Sequence, residues 1–154
     1  MAVKDVLDQQ KVVIQQLSYS CGPCSLLNIL YLKGDFSYDE QALAEKCSAQ
    51  PEVGISNKTL LQVAEEVGLK VIETKENGKI ADLERNLDAG NYLIINYYNA
   101  FSDNGHYAAV IEHDQDAFYL RDSSFGLFRL SKANLEKNWY NSDKTIFGWY
   151  AAVK

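Results

Sequence analysis

The stretch Ser20-Cys21-Gly22-Pro23-Cys24-Ser25-Leu26-Leu27-Asn28-Ile29-Leu30 decides how this chain is read. Leu26, Leu27 and Leu30 recur at helical spacing in an apolar run from Ser25 to Leu32, and Gly34 lies beyond it as a stop. Upstream, Leu17 to Ser20 has no helical period and reads as loop, so Cys21 falls at a helix N-terminus. A thiol there meets the positive end of the helix dipole and unpaired backbone N–H groups, and both favour the thiolate. The same N–H groups can help hold the oxyanion of a tetrahedral intermediate. Cys24 stands one turn further on, where it reads either as a small core residue or as a second reactive thiol.

The tetrapeptide Cys21-Gly22-Pro23-Cys24 has a second reading, because C-G-P-C at a helix start is also the redox motif of thioredoxins. That fold needs a buried strand before the motif and a cis-proline packed against the disulfide. Ser20 precedes the motif here, and the second of the two prolines, Pro51, lies in a polar loop without a strand pattern around it. The dithiol reading therefore lacks its partner residue.

Composition narrows the rest. The chain has 154 residues, enough for one domain with a real core, and a single domain over 1–154 is expected. Its 15 Lys and Arg against 21 Asp and Glu give a net charge of -6, a field that repels phosphate backbones and anionic membrane surfaces. Neither nucleic-acid binding nor membrane insertion is expected. No apolar run approaches the ~20 residues of a membrane span, and Met1 to Gln10 carries charges where a signal peptide would be apolar. Three cysteines are an odd and sparse set for a secreted disulfide scaffold, which points to free thiols and a cytoplasmic location; delivery by a specialised secretion system stays open. The 3 Cys and 2 His carry no second C-x-x-C or H-x-x-x-H, so no metal or cofactor is expected.

The first half reads as helices. A Ser37-x-x-Glu40 capping box precedes a helix to about Cys47, Ser56 caps a third bearing Leu60, Leu61, Ala64 and Val67, and Ile80 to Asp88 forms a fourth. Lys11 to Gln16 is a short β-branched run and Leu69 to Thr74 a strand. The second half is a series of short β-rich runs: Tyr92 to Tyr98, His106 to His113, Ala117 to Asp122, Leu127 to Leu130 and Ile146 to Val153, with one helix from Ser131 to Trp139. Helices followed by an antiparallel meander make an α+β fold, the N-terminal helical part packed on a C-terminal antiparallel β-sheet. Asn99 to Asn104 reads as a loop before Gly105-His106.

A nucleophilic Cys21 needs a base and a group to orient it. With Asp114 to Asp116 as a hairpin turn, paired positions sum to about 230. His106 then lies opposite Ser123 or Ser124 and diagonal to Asp122, within reach of a side-chain hydrogen bond. His113 falls at the turn end with only the turn aspartates nearby, and Cys47 at the end of an amphipathic helix reads as buried. Of the possible Cys–His pairs, Cys21 with His106 is the one that fits. Tyr97, Tyr98, Phe101 and Tyr107 cluster around the loop before His106, either as core aromatics or as a wall for an extended peptide.

These residues resemble the papain-like cysteine peptidases of the bacteriocin-processing, double-glycine family. The likeness runs through C-G-P-C-S-L-L-N-I-L, I-S-N-K-T-L-L-Q-V-A-E-E-V-G-L-K-V, L-D-A-G-N-Y-L-I-I-N-Y, G-H-Y-A-A-V-I-E-H and A-F-Y-L-R-D-S-S, which is nearly the whole chain. The resemblance implies a papain-like fold, Cys21 as nucleophile, His106 as general base and then acid, and Asp122 as orienting carboxylate. It also implies an oxyanion-hole glutamine six positions before the cysteine, Gln15, with Gln16 an adjacent rival. A peptide or protein substrate follows from it. Cleavage after Gly-Gly in leader peptides, deamidation and amide exchange all remain open. Transporter-linked members usually have Asp where this chain has Ser20, often a small residue in place of Cys24, and frequently Pro in place of Ser123. The chain has no phosphate-binding G-x-x-x-x-G-K-[ST], so a transporter partner is possible but not indicated by the sequence. Beside the acyl-transfer enzyme stand two other readings, the dithiol oxidoreductase and a catalytically silent binding domain.

Overall fold

The computed structural model describes residues 12–51, 55–99 and 104–154. Helix α1 (Cys21–Leu32) is buried along nearly its whole length, from Gly22 to Leu30, as expected of a helix apolar on all sides. Around it sit α2 (Glu40–Lys46) and α3 (Asn57–Glu66), and then β1 (Val71–Lys75), α4 (Ile80–Asp88) and β2 (Tyr92–Asn99) follow. The chain continues through β3 (Asn104–His113), β4 (Ala117–Asp122), β5 (Gly126–Ser131), α5 (Lys132–Asn138) and β6 (Tyr150–Val153). The six strands form one antiparallel sheet in the order β1-β6-β2-β3-β4-β5.

Strand alternation divides the core in two. On one face Ile94, Tyr107, Ala109 and Ala151 pack with Leu26, Ile29 and Leu60 of the N-terminal helices. On the other, Leu93, Ile95, Val110 and Leu120 pack with Leu83 of α4 and Leu135 of α5. This is the α+β arrangement expected, with helices also covering the second face.

Several local expectations need correction. Asp39, not Ser37, caps α2, accepting the Ala42 N–H at 2.8 Å, and Glu40 becomes the first helical residue with its carboxylate turned elsewhere. The run expected from Ile146 to Val153 is a strand only from Tyr150; before it, Phe147 makes an isolated bridge to Tyr140 and Gly148 takes a φ of 72°. Residues 12–15 belong to no strand. They form a strap held by Asn28, whose Oδ1 accepts from Val13 N at 2.8 Å, and by Ser123, whose carbonyl accepts from Gln15 N at 2.9 Å. The loop expected at Asn99 to Asn104 lies, for 100–103, outside the described residues, and so does Phe101.

The β3–β4 hairpin carries a bulge between Val110 and Glu112. Positions sum to 230 at the open end, where Ala109 pairs with Arg121, and to 231 at the turn end, where His113 pairs with Phe118. The bulge absorbs the extra residue far from His106, so the register at the open end is the one the sequence predicts.

Arg121 is fully enclosed, yet none of its guanidinium nitrogens has a hydrogen-bond partner among the described residues. An enclosed cation without hydrogen-bond partners costs several kcal/mol of desolvation. Arg121→Met, which keeps the length and removes the charge, is expected to raise the urea-unfolding free energy by about 1–4 kcal/mol. A loss of stability would show that the charge is paired after all.

Candidate active site

The site forms where the N-terminus of α1 meets the open end of the β3–β4 hairpin. Cys21 is the first residue of α1 and is partly exposed, and its side chain lies near enough to the His106 ring to favour the charged imidazolium. His106 is 6% exposed. Its Nε2 donates to Asp122 Oδ1 at 2.9 Å, which leaves Nδ1 for the thiol. The register places Tyr97 directly opposite His106, and the Tyr97 hydroxyl donates to the other Asp122 oxygen at 2.7 Å. The Ser124 and Phe125 N–H groups add two bonds to Oδ1, at 2.8 and 3.2 Å. A carboxylate with no solvent exposure is thus supplied with donors from three segments of chain.

These contacts set the electrostatics. Burial pushes the Asp122 carboxyl up, but the His106 ring, the Tyr97 hydroxyl and the Ser124 N–H outweigh it and hold the group below the usual carboxylate range. Burial likewise pulls His106 down, while Asp122 and Cys21 favour the imidazolium more strongly, so the ring is pushed up to about 9. The imidazole is therefore protonated at neutral pH, a proton donor already in place beside the thiol.

Ser20 occupies the N-cap position of α1, where a serine would normally cap, but its side chain makes no cap bond. Its hydroxyl donates instead to Glu40. The Ser20 side chain thus leaves the Cys21 and Gly22 N–H groups uncapped. Gly105 fixes the approach from the other side: a Cβ there would lie 2.5 Å from Ser142 N, so only glycine lets the 141–142 backbone pack against the residue before His106.

The two glutamines separate. Gln15 is half-buried, its Oε1 accepts from Ser123 Oγ at 2.6 Å, and its Nε2 donates to Leu17 O at 2.8 Å. Gln15 is thereby tied to the residue after Asp122. Gln16 is exposed, and its side chain turns back to Ile14 O at 3.4 Å.

The remaining candidates lie apart from this group. Cys24 is fully buried, and desolvation pushes its thiol up to about 12. Cys47, also buried, is pushed up to about 11 for the same reason. His113 does not rely on the turn aspartates. Its Nε2 donates to Asp88 Oδ1 on α4 at 2.7 Å, and its Nδ1 faces Lys132 Nζ at 3.1 Å. Tyr97 and Tyr107 are core residues, and the Tyr98 ring stacks on Tyr140 with centroids 5.2 Å apart.

Sequence reasoning missed Tyr97, Asn28 and Glu40. Asn28 carried a signal, a polar residue inside an apolar helix, whereas Tyr97 and Glu40 become visible only with the sheet and loop in place. Among the described residues no group of three or more His, Cys, Asp or Glu could hold a metal ion. No helix among them is long and apolar enough to cross a membrane.

The fold has known counterparts. A double-glycine motif protease from an AMS/PCAT transporter, solved with its leader peptide, superposes with a TM-score of 0.71 at 15% identity, covering 96% of each chain. The peptidase domain of Streptococcus ComA, a bifunctional ABC transporter involved in quorum sensing, gives 0.73 at 18% identity, over 93% of this chain and 96% of that one. A C39-like peptidase from Bacillus anthracis gives 0.70 at 18% identity, over 94% of this chain and 98% of that one. No curated protein sequence matches the chain. The sequence model of the Peptidase C39 family matches residues 9–146, and with that extent of match, on a papain-like fold, the chain belongs to the peptidase C39 family.

Proposed function

We propose that the chain is a single-domain cysteine peptidase that works by acyl transfer, with Cys21 as nucleophile, His106 as acid and base, and Asp122 as the orienting carboxylate. The observation that carries this reading is the His106 ring, bonded to Asp122 and set beside the thiol at the N-terminus of α1. The Cys21 sulfur attacks a substrate carbonyl, and the C–N bond breaks as His106 gives its proton to the leaving amine. His106, now neutral, takes a proton from water, whose oxygen attacks the thioester and releases the acid. The Cys21 backbone N–H and the Gln15 amide hold the oxyanion in both halves.

Membership in the family supports a peptide or protein as substrate, and the likeness to a double-glycine motif protease supports cleavage after Gly-Gly in a leader peptide. That two of the similar structures come from transporters supports a transporter as partner and the cytoplasm as location. A glutamine side chain entering the same site would be deamidated by the same steps. The dithiol reading finds no support: Cys24 donates its proton to Glu40 at 3.5 Å and is buried, and the surrounding fold is that of the C39 peptidases.

Iodoacetamide at pH 7 is expected to label Cys21 and to leave Cys24 and Cys47 unmodified in the folded protein, read by peptide mapping. Labelling at Cys24 or Cys47 with Cys21 inert would remove the assigned nucleophile. Incubation with a peptide library followed by mass spectrometry is expected to show cleavage, enriched after Gly-Gly, that vanishes in Cys21→Ala. A gain of about 1 Da without cleavage would mark deamidation instead.

A further inference from the structure

Glu40 makes contacts that neither helix capping nor the acyl-transfer steps account for. Its carboxylate accepts the Gln16 N–H at 2.9 Å on each oxygen, the Leu17 N–H at 3.1 Å, the Ser20 hydroxyl, and the Cys24 thiol at 3.5 Å. All four donors lie within residues 16–24, so one carboxylate from α2 gathers the loop that joins the candidate oxyanion donor to the candidate nucleophile.

Two consequences follow for the geometry around Cys21. First, the Gln15 Oε1 accepts from Ser123 while its Nε2 donates to the carbonyl of Leu17, the residue whose N–H Glu40 accepts, so the side-chain amide is held from both ends. Second, Glu40 holds the Ser20 hydroxyl immediately before Cys21, and the Ser20 side chain makes no cap bond to the helix, so the Cys21 and Gly22 N–H groups are not taken up by it. Burial raises the Glu40 carboxyl, but the Ser20, Gln16, Leu17 and Cys24 donors outweigh it, so the group stays ionised at neutral pH.

Building on the acyl-transfer reading, we infer that Glu40 is a positioning residue of the oxyanion hole, acting through Gln15 and the open N-terminus of α1. The imidazole is held by Asp122 and faces the thiol, and neither of these contacts involves Glu40. An attack that forms an oxyanion should therefore need Glu40, and one that forms none should not.

The test compares two reactions at Cys21 in the full chain. Acetylation by p-nitrophenyl acetate passes through an oxyanion, whereas alkylation by iodoacetamide does not. Glu40→Gln is expected to slow single-turnover acetylation at least about tenfold while alkylation stays within about threefold. Gln15→Ala should show the same split, and the double variant should react no more slowly than the slower single variant, as coupled residues do. A parallel fall in both reactions, or losses that multiply in the double variant, would overturn the inference while leaving the nucleophile in place. If Cys21→Ala is acetylated as fast as the unsubstituted protein, the acyl-transfer reading falls and takes this one with it. Should Glu40→Gln not fold, amide exchange in the unsubstituted protein decides. Protection at Gln16 and Leu17 at least about tenfold above that at exposed Ser18 is expected, and equal rates would overturn the inference.

Discussion

A carboxylate removed from water must be given donors or it takes up a proton, and Asp122 is given four. Those donors come from β2, β3 and the turn after β4. The pairing of Tyr97 with His106 and the open-end register of the β3–β4 hairpin must both be correct for the cluster to close. A one-residue slip in either strand would turn its side chain to the opposite face and leave the carboxylate buried without partners. The sheet and the candidate site therefore share one constraint, and the charge that orients His106 also penalises misregistered strands.

The same reasoning separates two thiols within one turn of helix. Cys21 and Cys24 belong to one tetrapeptide, yet one meets an imidazolium at the open end of the helix and the other a carboxylate in a closed interior. Burial, with the Glu40 carboxylate close by, pushes the Cys24 thiol up to about 12. C-G-P-C alone could not distinguish a redox pair from a nucleophile with a buried neighbour, because the distinction lies in residues about 80 positions away, near His106, and in Glu40.

Much of this was legible in the sequence because it rests on short-range rules. The helix starting near Cys21, the α4 limits, the β4 limits and the His106–Asp122 diagonal follow from periodicity, stop residues and hairpin counting. Residues that act across the fold were not legible. Tyr97 looks like any strand aromatic until β2 is set beside β3. Glu40 fits a capping box until Asp39 takes the cap and frees the carboxylate for the loop. The position of β6 between β1 and β2 also has no local signature, since it joins the last strand to two that precede it by more than 50 residues.

Activation of Cys21 by His106, held charged by Asp122, is the step on which the proposed mechanism depends. It is tested most directly by the rate of Cys21 alkylation by iodoacetamide between pH 6 and 7 in the unsubstituted protein and in His106→Ala. With His106 pushed up to about 9, the ring is protonated across that range, and removing it should slow Cys21 alkylation at least about tenfold at pH 6. Equal rates in the two proteins would mean that the thiol and the imidazole are neighbours without being partners.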